Sequence, residues 1–244
     1  FTGVGTLKTS GVITNNSNIT QGSLEILTGS LTSNATKLAI SQGITNSADL
    51  ILTGGELTSS VTGSGTTTLG ANTTIDSTIT GNTLALTDKE AKLGTNAVLT
   101  LGGLTSEGGA LDTQNGIIDT ISMGAVVLQG DLDLALDANL KTQQADSFSA
   151  DSVSANGNWI VIKSINVTED PVVNLPISIT NFDTKLSSAV KLDHEGFKAY
   201  NAATDFSYLV TYSTSDLGGV LTFNYSDLYS AIHMTAQERV YTMA

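Results

Sequence analysis

The chain has no cysteine, two prolines and one tryptophan, and of its 244 residues only 14% are charged and 5% aromatic. Without cysteine there is no disulfide framework, no thiolate nucleophile and no thiolate metal site. Ten Lys and Arg against 23 Asp and Glu give a formal net charge of −13. That balance supplies no basic surface to displace counterions from nucleic acid, and it disfavours anionic membranes in the same way. No apolar run is long enough to span a bilayer, and no initiating Met or basic n-region opens the sequence. Phe1 therefore reads as the start of a processed or trimmed fragment that does not itself insert into membrane.

What is present is 40% hydrophobic residues set among Gly, Ser, Thr and Asn, enough to bury a core with a surface made soluble by hydroxyls and amides. The organising stretch is Leu50-Ile51-Leu52-Thr53-Gly54-Gly55-Glu56-Leu57, an apolar strand, a glycine corner and a second strand start. It has echoes at 24–31, 99–104 and 127–132. Ile19-Thr20-Gln21-Gly22 returns as Ile40-Ser41-Gln42-Gly43, and Leu27 returns as Leu52. These steps of 21 and 25 residues fit one coil of a β-solenoid, whose repeats run from about 20 to 50 residues. No period near 3.6 is sustained before residue 150, so helices are not expected there. Inward residues are expected at alternate positions, as in Leu38/Ile40, Leu84/Leu86, Leu99/Leu101 and Leu132/Leu134/Leu136, stacked coil on coil. Gly54-Gly55, Gly102-Gly103 and Gly108-Gly109 read as corners with positive φ.

The texture changes over Asp146–Asn158, and beyond it lie the only Trp, both Pro, most of the Tyr and both His. This predicts two parts, residues 1–155 as the solenoid and residues 156–244 as a β-rich capping or assembly module. Trp159–Lys163 is expected to be a strand, with 175–179 as its neighbour across a turn holding Pro171. Phe206, Tyr208, Val210 and Tyr212 alternate, as do Leu221, Phe223 and Tyr225, predicting a hairpin with its loop at 213–219. Ser226-Asp227 ahead of Leu228, Ala231 and Ile232 predicts a short helix over about Asp227–Gln237.

The Leu-x-Leu-Thr-Gly-(Gly)-x-Leu echoes of residues 1–155, followed by Gly-Asn-Trp-Ile-Val-Ile at 157–162, make the chain resemble the passenger region of bacterial autotransporters and filamentous-haemagglutinin-type surface proteins. The resemblance implies an all-β, right-handed parallel β-helix with a capping module, displayed at the bacterial cell surface or secreted from a larger precursor. Such proteins adhere, present something or form a stalk. No active-site motif and no cofactor come with the resemblance, and no β-barrel translocator follows Ala244.

Chemistry is sparse. Period-2 alternation in Asp131-Leu132-Asp133-Leu134-Ala135-Leu136-Asp137 sets Asp131, Asp133 and Asp137 on one outer face. Three carboxylates there could hold Ca²⁺, or simply form a solvated strand face, since no Gly-Gly-x-Gly-x-Asp repeat supplies interlocking ligands. His194 sits between carboxylates and His233 stands alone, and two histidines without cysteine do not make up the ligand set of a structural zinc site. The sequons at Asn15, Asn18, Asn34, Asn72, Asn166 and Asn224 are at chance level in so Asn- and Thr-rich a chain. Thr66–Thr68 and Thr73-Thr74 suggest a hydroxyl face that orders ice, but the Thr-x-Thr this requires at one fixed position in every coil is missing.

The expected function is a non-enzymatic extracellular structural protein: an adhesin, a stalk, or a filament subunit joined head to tail. Its partners would be copies of itself or a glycan or host surface. Tyr208, Tyr212, Phe223 and Tyr225, with the Thr168–Pro171 turn, are the interface candidates because interfaces favour Tyr. The alternative is a carbohydrate-active β-helix enzyme, a polysaccharide lyase or hydrolase. Against it stands a thin partner set, with only Phe1 and Phe148 as aromatics in the solenoid stretch.

Overall fold

The computed structural model describes residues 3–17, 19–34, 37–38 and 40–226; the expected helix at 227–237 and His233 lie outside them. Nearly all of the regular structure is strand, wound as a β-solenoid with mostly parallel pairing. Each coil contributes to three faces, and each face has its own column of inward residues. On the first face Leu24, Ile44, Val61, Ile79 and Leu99 stack in successive coils, and Ile121, Phe148 and Phe182 continue the line. The second face stacks Leu31, Leu50, Thr67, Leu84, Leu104, Val126 and Val153. The third begins with Leu38, Leu57, Ile75 and Leu93. Two residues earlier on that face Thr73, Ala91, Leu111, Leu134, Ile162 and Leu192 form a second inward column.

Alternation explains this arrangement. Period-2 strands put Leu, Ile and Val inward and Thr, Ser and Asp outward, and the pairs at 38/40, 84/86, 99/101 and 132/134/136 are all buried as expected. One contiguous apolar core results. Burial of like against like in neighbouring coils makes stability a sum over interfaces between coils.

The 21-residue echo joins neighbouring coils, one residue off the 20-residue register step of Leu24 and Ile44, with Gln42 N donating to Gly22 O at 2.7 Å. The 25-residue echo is not. Leu27 is 44% exposed, whereas Leu52 is buried and aligned with Ser33 and Leu69. Coil length also varies, from the 17 residues separating Ile44 and Val61 to the 27 separating Ile121 and Phe148 and the 34 from there to Phe182.

The glycine pairs divide into two kinds. Gly54, Gly55 and Gly108 have positive φ, as expected of corners. Gly102, Gly103 and Gly109 do not, and are held instead by close approach. A Cβ at Gly102 would lie 2.0 Å from Gly81 O, one at Gly124 2.1 Å from Gly102 O, and one at Gly109 2.5 Å from Leu86 Cβ. Gly81, Gly102 and Gly124 thus form a ladder at the corner between first and second faces. Gly102→Ala should therefore destabilise by overpacking, by about 1–3 kcal/mol, seen as a lowered urea midpoint with unchanged slope; an unaltered midpoint would contradict the close approach.

The same corner carries buried amides. Asn46 Nδ2 donates to Asn82 Oδ1 at 2.7 Å, and Asn82 Nδ2 donates to Gly63 O at 2.7 Å. Thr67 Oγ1 adds a 3.3 Å bond to Asn82 Oδ1. Polar side chains are tolerated at full burial here because they find partners in the coils above and below.

The parallel ladder runs past residue 155. The strand Ile160–Glu169 pairs parallel with Leu132–Asn139, and Val190–Leu192 pairs parallel with Ile160–Glu169 in turn. The neighbour expected for Trp159–Lys163 is different: Ile177–Phe182 belongs to the first face, aligned with Ser147–Ser154 through Phe148 and Phe182. Thirteen residues of chain after Ile160–Glu169 reach Phe182, long enough to carry it round to another face.

The hairpin forms as Phe206–Ser215 and Gly218–Tyr225. Its turn is tighter than the expected 213–219 loop, with only Asp216 and Leu217 between strands and Gly218 at φ +127°. Gly218–Tyr225 pairs antiparallel with Ile177–Phe182, and Phe206–Ser215 with Lys198–Asn201. Tyr200 of that last strand aligns with Asn166. Antiparallel strands thus bridge the first and third faces and place Tyr208, Val210, Leu221 and Phe223 in the core.

Candidate functional site

The three carboxylates expected on one face do not converge. Alternation holds in the Leu132–Asn139 strand as far as Leu136, then Leu136, Asp137 and Ala138 are all buried. The cause is irregular pairing with Ile160–Glu169, whose register shifts at Leu134/Ala135 and again at Ala138/Asn139. Asp131 accepts the Trp159 N–H at 2.7 Å. Asp133 faces Lys163 Nζ at 3.7 Å, and Lys163 also pairs with Asp193 at 2.7 Å. Asp137 points inward. Among the described residues no group of three or more His, Asp or Glu is placed to hold a metal ion.

Asp137 has a different partner, Asp146, which opens the stretch where the sequence texture changes. Asp146 is fully buried and accepts three hydrogen bonds, from Thr113 Oγ1 at 2.5 Å and from the backbone N–H groups of Asp119 and Asp137, both at 2.7 Å. Asp137, also fully buried, accepts from Gly116 N at 2.7 Å and from Asn166 Nδ2. Asn115 Nδ2 donates to Asp119 at 2.9 Å. These bonds fasten the 113–119 segment to the next two coils where the solenoid widens. Burial without a cationic partner raises all three carboxyl groups above the ordinary range, Asp146 to about 7. Hydrogen bonds oppose the shift in each case, Asn115 at Asp119, Asn166 and Gly116 at Asp137, and the two backbone N–H groups with Thr113 at Asp146. The only sequence signal was a pair of acids, Asp137 and Asp146, flanking a polar turn.

The aromatic interface candidates divide. Tyr208 and Phe223 are 1% and 0% exposed and belong to the protein's own core. Tyr208 Oη donates to Asp170 at 2.6 Å, so the Thr168–Pro171 turn anchors the hairpin. Burial, first of all, and that bond raise the Tyr208 hydroxyl far above its ordinary range. Tyr212 is half-buried, its hydroxyl donating to Ser187 O at 2.8 Å, and Tyr225 is half-buried beside Tyr208. His194 lies on an exposed turn, its ring against Phe197 and its Nδ1 2.9 Å from Glu195 O.

Two open recesses mark the sides. One, of about 260 Å³ on the third face, is lined by Glu90, Asp112, Gln114, Asp133 and Lys163. Its charges are engaged in exposed pairs, Lys92 with Asp112 at 2.5 Å and Lys163 with Asp133, of a kind that contributes little. The other, of about 490 Å³, runs beside the glycine ladder, bordered by Thr100, Ser122 and Ser149 on one side and Asp183 and Lys185 on the other. Lys185 Nζ donates to Asp151 O at 2.7 Å, and Asp183 accepts the N–H groups of Ala150, Lys185 and Leu186. Both charges thus serve the fold. This parallel β-solenoid matches no protein-family model, no curated protein and no solved structure.

Proposed function

We propose that this chain is a non-enzymatic structural element of a bacterial cell surface, a solenoid rod serving as stalk or adhesin. The observation that carries the reading is the antiparallel end. Strands Phe206–Ser215 and Gly218–Tyr225 occupy, by pairing with Lys198–Asn201 and Ile177–Phe182, backbone groups to which a further parallel coil would bond. Covered edges of this kind suppress strand addition. They favour a rod that stops over a filament propagated head to tail through this end.

The buried carboxylates support a structural role over the carbohydrate-active alternative. Glycoside hydrolysis needs two carboxyl groups flanking an open cleft, and the two most deeply buried acids, Asp137 and Asp146, are bonded to backbone within the wall. Negative-stain electron microscopy over a range of concentrations tests the reading. Discrete short rods are expected at every concentration. Regular polymers that lengthen with concentration would replace the stalk by a filament subunit, and shortening of a polysaccharide by the purified chain would replace both.

A further inference from the structure

The sequence contains two Asn-Gly steps, Asn115-Gly116 and Asn156-Gly157. Such a step is the readiest place for an asparagine amide to be lost, because the next backbone nitrogen attacks the side-chain carbonyl carbon and glycine, lacking Cβ, hinders that approach least. The attack needs a following N–H that is not already bonded and a side-chain amide free to turn. At Asn115 both are denied. Gly116 N donates to the fully buried Asp137 at 2.7 Å. Asn115 Nδ2 donates to Gly94 O at 3.1 Å and to Asp119 at 2.9 Å, and its Oδ1 accepts the Ile117 N–H at 2.9 Å. Freeing the two reactants breaks all four bonds together, including those to Gly94 and Asp137 in the coils on either side.

At Asn156 the constraint is slight. The pair forms the centre of a turn, Asn156 at φ +52° and Gly157 at φ +83°, closed by Asn158 N donating to Ala155 O at 2.8 Å. Both residues are exposed, and a Cβ at Gly157 would meet nothing within 4 Å. The Gly157 N–H has no hydrogen-bond partner among the described residues. Asn156 Nδ2 donates to Leu128 O at 3.1 Å and at the limit of bonding, 3.5 Å, to Ser154 O, while Ser154 Oγ donates to its Oδ1 at 3.2 Å. Water replaces the two contacts with Ser154 at the surface. Leu128 O is not stranded when Asn156 turns away, because Asn158 Nδ2 also donates to it at 3.1 Å.

We propose that Asn156 is a site of spontaneous deamidation in the folded chain, from which Asn115 is protected by its hydrogen bonds. The Gly157 nitrogen gives up its proton to solvent base and bonds to Asn156 Cγ; the Cγ–Nδ2 bond breaks and ammonia leaves. Water then opens the cyclic imide at either carbonyl, leaving aspartate or isoaspartate, with no redox change. Either product sets a carboxylate where an amide donated to Leu128 O. Isoaspartate also adds a methylene to the backbone between the Ser147–Ser154 and Ile160–Glu169 strands, loosening the passage from the second face to the third. Neither site depends on whether the rod is a stalk or an adhesin. The test holds the whole 244-residue chain in warm neutral buffer for weeks, folded by circular dichroism, and maps peptides by mass spectrometry that separates isoaspartate from aspartate. Asn156 is expected to convert progressively, and Asn115 at least about tenfold more slowly. In urea, which removes the difference in bonding, both are expected to convert at similar rates. An intact Asn156 in the folded chain overturns the proposal, and so does conversion of Asn115 at the same rate. An Asn115 that stays intact in urea overturns its protection by hydrogen bonds.

Discussion

Phe182→Ala is expected to lower the unfolding free energy by about 3–5 kcal/mol, the range for removing a buried aromatic side chain. Phe182 is 1% exposed and sits where the parallel ladder passes into the antiparallel end. Its ring stacks on Phe148 with centroids 5.2 Å apart and meets Tyr212 edge-on at 6.1 Å. The void that Phe182 and Phe148 share with the upper core is only about 10 Å³, so the surroundings have little slack with which to close over the lost ring. Urea unfolding measures the loss, and amide exchange of residues 206–225 should accelerate before that of residues 44–106 if the end detaches first. A loss below about 1 kcal/mol would mean that the site collapses freely, contrary to close packing.

The second large effect is a dependence of stability on pH that runs opposite to ordinary acid denaturation. A carboxyl group raised in the folded state holds its proton there more tightly than in the unfolded chain. Its contribution is then fullest below the unfolded value near 4, and is lost as pH rises through the folded value. For Asp146, raised from 3.8 to about 7, the window is about pH 4 to 7, with a span on the order of 4 kcal/mol at about 1.4 kcal/mol per unit. Asp119 and Asp137 are raised as well and act in the same direction. Self-repulsion among the acidic surface groups would add to the trend, so the measurement is the difference between wild type and Asp146→Asn. The wild type should gain stability from pH 7.5 to 5, and the variant should lose most of that gain. Identical slopes would show that Asp146 is not the group responsible. Asp146→Ala should be costly at either pH, because it strands the backbone N–H groups of Asp119 and Asp137 at about 1–3 kcal/mol each, while the Thr113 hydroxyl keeps Ala135 O at 2.9 Å.

The fold class was legible because alternation and glycine corners are local properties. Leu84/Leu86 and Leu132/Leu134 announce an inward face without knowledge of what stacks above them. Register was not legible in the same way. The echo of Leu27 in Leu52 matched similar words on different faces, since coils of 17 to 34 residues do not keep a fixed period. Asp137 illustrates a second limit: simple alternation carried it outward with Asp131 and Asp133, and only the irregular pairing with Ile160–Glu169 turned it in. Gly102 shows a third, for a glycine required by a carbonyl 2.0 Å from its missing Cβ looks in sequence like a glycine required by φ. The hairpin was readable in outline, but which of its aromatics faced the core depended on strands far away in the chain.

The lengthening of the coils has a mechanical meaning for a chain serving as the proposed stalk. Hydrogen bonds between coils point along the axis, so tension applied end to end loads the coils in series and releases them one at a time. A freed chain spans at most about 3.3–3.6 Å per residue. A 17-residue coil such as that from Ile44 to Val61 then yields roughly 60 Å of slack, and the 34 residues from Phe148 to Phe182 about twice as much. Under load the molecule is a graded tether whose give depends on which end surrenders first, and the aromatic stack at Phe182 decides whether the longest steps come early or late.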